Sequence, residues 1–340
     1  MPDTSSPRNL LPNRTIRDAA GLAAAGLLPP GADAAALRAV AARYAIAVTP
    51  AMAALIRPDE AADPIAAQYI PAMAELETAP HEVADPTADA PFTPVPGVVH
   101  RYPDRALLKP LLACPVYCRF CFRREVVGPG GGLLDTAQLE AAIAWFAATP
   151  QVREVILTGG DPLMLSPRRL GWLLDRLAAI PHIEILRIHT RVPVADPGRV
   201  TEALASALAT EKPLYLCLHA NHAREFSAEA ATALRRLTGA GVVLLGQSVL
   251  LRGVNDSPAA LEELFRAMLR HRVKPYYLHQ LDPAPGTARF EVPAAEGRAI
   301  LADLRFRVTG LAWPTYVQER PAGGGKAPIG PRWEDNAPEA

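Results

Sequence analysis

Three cysteines stand on one short run, Cys114-Pro-Val-Tyr-Cys118-Arg-Phe-Cys121, in a C-x3-C-x2-C spacing. Thiolates are soft ligands that suit zinc and iron–sulfur clusters. An electron-transfer cubane is held by four protein thiolates. Three at this spacing would hold three irons of a [4Fe–4S] cube and leave the fourth iron open to a small molecule. A structural zinc site closes with four ligands, commonly as two separated pairs. No second pair is present, so zinc is the weaker reading. The remaining cysteine, Cys217, lies in the apolar stretch Leu214–Leu218 and reads as a small buried hydrophobe. On these residues alone, a non-catalytic iron–sulfur or zinc protein stays open as an alternative.

Two further features could do chemistry. Thr158-Gly159-Gly160-Asp161 follows the apolar run ending at Leu157; paired glycines let backbone approach a ligand closely, and Asp161 beside them can receive an ammonium group. An ordinary strand-to-helix turn would look the same. Lys326 is preceded by Gly323-Gly324-Gly325 and followed by Ala327-Pro328. A phosphate loop needs glycine and a hydroxyl residue where Arg320 and Ala327 stand, so that reading fails. Glycines would instead let the backbone thread a site and deliver the amine to an aldehyde. A desolvated lysine of lowered pKa forms Schiff bases with pyridoxal phosphate (PLP); a lysine in a glycine-rich tail can also simply be solvated.

Such groups need a frame. Apolar runs rich in Val, Ile and Leu occur at Ala106–Ala113, Val155–Leu157, Ile183–Ile188, Leu214–Leu218, Val242–Leu251 and Tyr276–Leu281. Helical patterns fall between them, near 135–148, 167–179, 198–209, 227–239, 257–271 and 293–308. Continuous apolar strands alternating with helices predict a parallel sheet covered on both faces. Six such units predict an α/β open partial barrel, (β/α)6, with the chemistry at the C-terminal ends of the strands. The cysteine triplet follows the first of these strands directly. A flat doubly wound sheet is the alternative, but no Gly-x-Gly-x-x-Gly supports it. Residues 1–95 read as a helical extension, its short helices punctuated by Pro29-Pro30, Pro50, Pro58 and Pro64, and end in a proline-rich linker over Ala84–Gly97. Residues 96–322 form the barrel, and 323–340 a C-terminal segment carrying Lys326.

Of 340 residues, 50% are hydrophobic and 21% charged, with formal net charge +0. That balance suits a globular enzyme and gives no global field for nucleic acid or an anionic membrane. No apolar run reaches the roughly 18 residues of a membrane span, and the first residues lack a signal-peptide layout. Few cysteines, grouped as ligands, fit a reducing compartment, so a cytoplasmic location is expected.

The triplet, the Gly-Gly-acid turn and the glycine-flanked lysine together resemble the lysine 2,3-aminomutase family, a PLP-dependent branch of the radical S-adenosylmethionine (SAM) superfamily. The resemblance runs from about His100 to Lys326 through His100–Arg105, the cysteine loop with Arg123-Arg124, Leu157–Asp161, Arg187–Pro193, His219–His222, Gln247–Asp256, Tyr276–Asp282 and the terminal lysine. It implies a partial (β/α)6 barrel, a [4Fe–4S] cluster on Cys114, Cys118 and Cys121, and SAM on the open iron. Gly159, Gly160 and Asp161 would meet the SAM amino group. It further implies that Lys326 holds the PLP aldehyde, that Arg101 and Arg105 hold its phosphate, and that His219 and Gln247 lie near it. Arg123 would clamp the substrate carboxylate, while Asp282 and Glu319 would receive the far ammonium of lysine. For Arg101 and Arg105 the plainer reading is a surface ion pair with Asp104; for His219 and Gln247 it is satisfied core polarity; Phe120 and Phe122 read as packing.

The implied reaction is a radical 1,2-shift of an amino group on free lysine, begun by removal of a hydrogen atom from its β-carbon. It needs an external electron donor and neither nucleic acid nor membrane; association of identical chains is left open. Where lysine mutases of this family present Asp-Ala-Pro-Gly, this chain has Glu319-Arg320-Pro-Ala, which bears on the substrate more than on the reaction. The same chemistry on a different amino acid is therefore an alternative, although Asp282 disfavours glutamate. The sequence stops 14 residues after Lys326, resembling short members whose β-lysine modifies elongation factor P.

Overall fold

The helices that alternate with the strands cover one face of the sheet, where Val155, Leu186, Leu216 and Leu244 point. The other face, expected from sequence to be covered as well, instead lines a cavity with Glu154, Arg187, His189, Gln247 and His279. The computed structural model describes residues 12–28, 32–128, 131–320 and 325–331. Its strands are β1 (Val98–Tyr102), β2 (Arg105–Leu111), β3 (Glu154–Gly159), β4 (Ile185–Thr190), β5 (Leu214–His219), β6 (Val243–Val249), β7 (Lys274–His279), β8 (Thr315–Arg320) and β9 (Gly325–Gly330). They form one sheet in chain order. Neighbours from β2 to β8 are parallel, while β1 and β9 pair antiparallel on β2 and β8.

Helices Thr136–Ala147, Pro167–Ala178, Glu202–Ala207, Ala228–Gly239, Pro258–Arg270 and Ala294–Leu304 connect the parallel strands. The first five begin on Asp135, Ser166, Thr201, Ser227 and Ser257, whose side chains accept backbone N–H groups of the first turn. Each such cap stabilises its helix by about 1 kcal/mol. Leu139, Leu173, Leu204, Leu234, Leu264 and Leu301 from these helices meet Val155, Leu186, Leu216 and Leu244 of the strands in one continuous core. The result is the expected partial (β/α)6 barrel, with β8 as a seventh parallel strand. The six apolar runs became β2 to β7; β1 and β9, at the edges of the sheet, and β8 beside β9 escaped because they carry Arg, Gln, Glu, Gly or Pro.

The N-terminal extension has a core of its own, in which Leu22, Leu37, Met52, Ile65 and Tyr69 pack around Val116 of the cysteine loop. It therefore seats on that loop. The stretch read as a linker does more than connect, because Asp89 and Thr87 reach the barrel cavity. Gly323 and Gly324 lie outside the described residues, as do Pro29 and Pro30. Residues Gly325–Gly330 form β9, so Lys326 sits on a strand of the main sheet.

Candidate active site

β2 ends at Leu111, and the cysteine loop leaves it at the C-terminal mouth of the barrel. A cavity of about 520 Å³ opens there, lined by Cys114, Cys118, Cys121, Gly159, Gly160, Asp161, His219, Gln247, Arg101, Arg105, Arg123, Asp282, Glu319 and Lys326. Every residue singled out for chemistry thus faces one space. Cys217 does not line it and is fully buried.

The loop's shape is imposed by buried charge. Glu75 of the extension accepts both Oε contacts at 3.0 Å from Arg119 Nε and is paired with Arg124. Arg119 also donates to Ala45 O at 2.7 Å, and the Arg119 and Gln68 backbones meet at 2.9 Å. Burial would push the Glu75 carboxyl up, but the arginines outweigh it and hold it below the usual carboxylate range. Burial raises all three thiols, Cys121 to about 11; metal ligation requires their deprotonation and so releases protons. Among the described residues no three His, Cys, Asp or Glu side chains are grouped as ligands of a single ion would be. A cubane places its thiolates on separate irons, and three sulfurs on one cavity wall fit that group.

The Gly-Gly-acid turn is tied to this loop. A Cβ on Gly160 would stand 2.3 Å from Ala113 O, and the Gly160 and Asp161 N–H groups donate to Leu111 O and Ala113 O at 2.8 and 2.9 Å. The close approach that demands glycine is thus to the cysteine loop's own backbone. Asp161 accepts from Leu163 N at 3.1 Å and Thr190 Oγ1 at 2.7 Å on one oxygen. The other takes Arg191 N at 2.7 Å and Val192 N at 3.1 Å. Its carboxylate binds the end of β3 to the end of β4, and Gly159, Gly160 and Asp161 all line the cavity.

Elsewhere on the cavity wall, β8 and β9 put Glu319 and Lys326 in register. Lys326 Nζ donates to Glu319 Oε2 at 2.9 Å, its side chain 33% exposed. Glu319 is also bonded to Arg101. Tyr102 OH accepts the Lys326 backbone N–H at 2.7 Å. Gly325, at φ +62°, has no room for a Cβ beside the Tyr102 ring. Side chains rather than a backbone ladder therefore join β1 to the β8–β9 hairpin. Arg105 packs its guanidinium 3.8 Å from the Tyr102 ring centre and pairs with Asp104 at 2.7 Å, so the plainer reading of Arg105 holds alongside its place on the cavity wall. Arg320 is exposed on the other face of β8, and the cations beside Glu319 are Arg101 and Lys326.

Arg123 donates to Asp89 at 3.0 Å, and Asp89 also meets Lys109 at 3.4 Å and Arg101 at 3.8 Å. Arg101 Nε and Arg123 Nε are buried without partners among the described residues. Asp282, past the end of β7, has no ion pair among the described residues; burial and nearby Glu319 push its carboxyl up to about 6. His219 faces Asn221 and packs 5.6 Å from the Phe120 ring. Burial drives His219, His189 and His279 down, His279 to about 3, aided in the last two by Lys326, so these imidazoles are neutral. Asp89, Tyr102, His189, Arg191 and His279 were not singled out from sequence. Arg191 and the two histidines lay within stretches that carried the resemblance, whereas Asp89 gave no signal.

Residues 108–265 match the model of the Radical SAM superfamily. The chain is 41% identical over 288 residues to L-lysine 2,3-aminomutase of Acetoanaerobium sticklandii, covering 85% of this chain and 70% of that protein. It is 40% identical over 269 residues to L-lysine 2,3-aminomutase of Escherichia coli, with 78% of each covered. Glutamate 2,3-aminomutase of Clostridioides difficile is 34% identical over 297 residues, with 87% and 70% covered. A [4Fe–4S] cluster and SAM follow from this membership. The chain belongs to the lysine 2,3-aminomutase family of radical SAM enzymes and is an isomerase.

Proposed function

We propose that the protein converts L-lysine to β-lysine by moving the α-amino group to the β-carbon, with PLP held at Lys326. The observation that carries this reading is Asp282, a half-buried carboxylate with no ion pair among the described residues, lining the same cavity as Arg123. An unpaired buried charge costs several kcal/mol. A substrate ammonium relieves that cost while Arg123, a planar fork suited to carboxylates, holds the other end. Glutamate would instead bring a second carboxylate against Asp282 and Glu319.

The residues fit PLP as well. Lys326 offers an amine, and Arg101 stands next to it with an uncommitted buried Nε. When bound, PLP supplies a π bond through which the nitrogen can migrate. Arg123 orients the substrate carboxylate, Asp282 and Glu319 fix the far ammonium, and neutral His219 with Gln247 lines the wall between β5 and β6. The extension and the Phe120 ring keep water from the cysteine end. Cys114, Cys118 and Cys121 would hold the cluster, which together with SAM would supply the hydrogen-abstracting radical.

The test is turnover under anaerobic conditions. Enzyme reconstituted with iron, sulfide and PLP, given SAM and dithionite, is expected to form β-lysine from lysine and no β-glutamate from glutamate. Lysine left unchanged while glutamate or another amino acid isomerises would overturn the substrate assignment.

A further inference from the structure

Of the three cysteines, Cys118 receives a contact of a kind neither of its partners shows. Arg191, just past β4, donates from Nη1 to Cys118 Sγ at 3.1 Å. Its Nη2 donates to Gln68 Oε1 at 2.5 Å and Glu225 Oε2 at 2.8 Å. Arg191 is 5% exposed and Glu225 0%. Glu225 is held in turn by the N–H groups of Asn221 at 2.8 Å and His222 at 3.0 Å, and Asn221 Nδ2 donates to Gln68 Oε1 at 3.1 Å. The guanidinium lies between the rings of Tyr69 and Phe120, 4.9 and 5.4 Å from their centres. Its backbone is fixed by Asp161. Cys121 instead has the backbone N–H of Arg123. Arg191 Nε, buried, has no partner among the described residues, so the guanidinium keeps one more donor uncommitted.

This arrangement is costly unless it does something. Removing an arginine and a glutamate from water together is repaid only with good geometry, and nothing about packing requires a cation to end on a sulfur. Cluster potentials are set by net charge, by hydrogen bonds to sulfur and by solvent exposure. One-electron reduction of [4Fe–4S]2+ to [4Fe–4S]+ adds negative charge that spreads onto the thiolates. A cation donating to one of them favours the reduced state, and a carboxylate behind that cation tempers the effect.

We infer that Arg191 and Glu225 form a charge couple that sets the reduction potential of the cluster through Cys118, Arg191 raising it and Glu225 lowering it. Arg191 is a positioning residue: it acts through the thiolate and not on the substrate. The inference concerns electron uptake from an external low-potential reductant, and it stands apart from the assignment of lysine or PLP.

The experiment titrates full-length enzyme, reconstituted with iron and sulfide, against titanium(III) citrate and reads the reduced cluster by electron paramagnetic resonance. SAM, PLP and amino acids are left out, so an error in the substrate assignment cannot alter the result. At the wild-type midpoint, Arg191→Gln is expected to lower the ratio of reduced to oxidised cluster roughly tenfold, about 59 mV for a one-electron couple. Glu225→Gln is expected to raise that ratio. General loosening of the fold would move both variants the same way, so shifts of equal sign, or no shift at matched iron content, overturn the inference. Should Arg191→Gln fail to fold, Glu225→Gln decides alone: an upward shift supports the couple, and an unchanged or lower potential overturns it. A wild-type chain that takes up no iron overturns it together with the ligand assignment of the cysteines.

Discussion

The two ends of the cavity are built by different means. At the cysteine end, Glu75, Arg119 and Arg124 have side chains with 0% exposure, and the extension packs its core directly onto the loop. At the lysine end, the edge strand β1 meets the β8–β9 hairpin through Tyr102 and Glu319, and Lys326 keeps a third of its side chain in solvent. A cluster ligand must hold one geometry, and a buried charge network that fails if any member is removed enforces it. The amine proposed to take up and give back an aldehyde needs access, and a strand hairpin latched by side chains gives both register and reach.

The contrast makes graded expectations. Cys118→Ala is expected to abolish the cluster's visible absorbance and all turnover, while PLP binding at the far end survives. Loss of both would show that the two ends do not assemble independently. Glu75→Ala leaves Arg119 and Arg124 without their carboxylate and is expected to lower unfolding free energy by about 3–5 kcal/mol in denaturant titration. Burial and nearby Glu319 push the Asp282 carboxyl up to about 6, so it is protonated well below that value and ionised well above it. Only the ionised form pairs with an ammonium, so kcat/KM for lysine is expected to rise as pH increases through about 6, and that rise is expected to vanish in Asp282→Asn. Tyr102→Phe removes one hydrogen bond to the Lys326 backbone, worth about 1 kcal/mol. PLP affinity is then expected to fall several-fold, read by fluorescence titration, with iron content unchanged.

The barrel was legible because its strands are long apolar runs, and β2 to β7 fall where Val, Ile and Leu cluster. The edge strands were not, since β1 carries His100 and Arg101 and β9 carries glycine and proline, residues that pairing rather than propensity makes extended. The site was legible where chemistry is unusual: three spaced cysteines, a glycine-flanked lysine, and motifs in a familiar order. Asp89 was hidden in a stretch whose prolines spelled linker, and only the fold brings it beside Arg101 and Arg123. Asp161 was legible from its motif, but the four backbone and hydroxyl donors that hold its carboxylate, from Leu163, Thr190, Arg191 and Val192, were not. Arg191 was visible as a letter, but its sulfur contact depends on a 73-residue separation in sequence that the barrel closes.

The most direct test of the account is where the cofactor aldehyde attaches. Purified enzyme loaded with PLP is treated with borohydride, digested, and its peptides weighed. A reduced pyridoxyl adduct on Lys326 is the result predicted here. An adduct on Lys109, the other lysine close to the cavity wall, or none on any peptide while the cluster is intact, would contradict the joining of an iron–sulfur end and a lysine end in one active site.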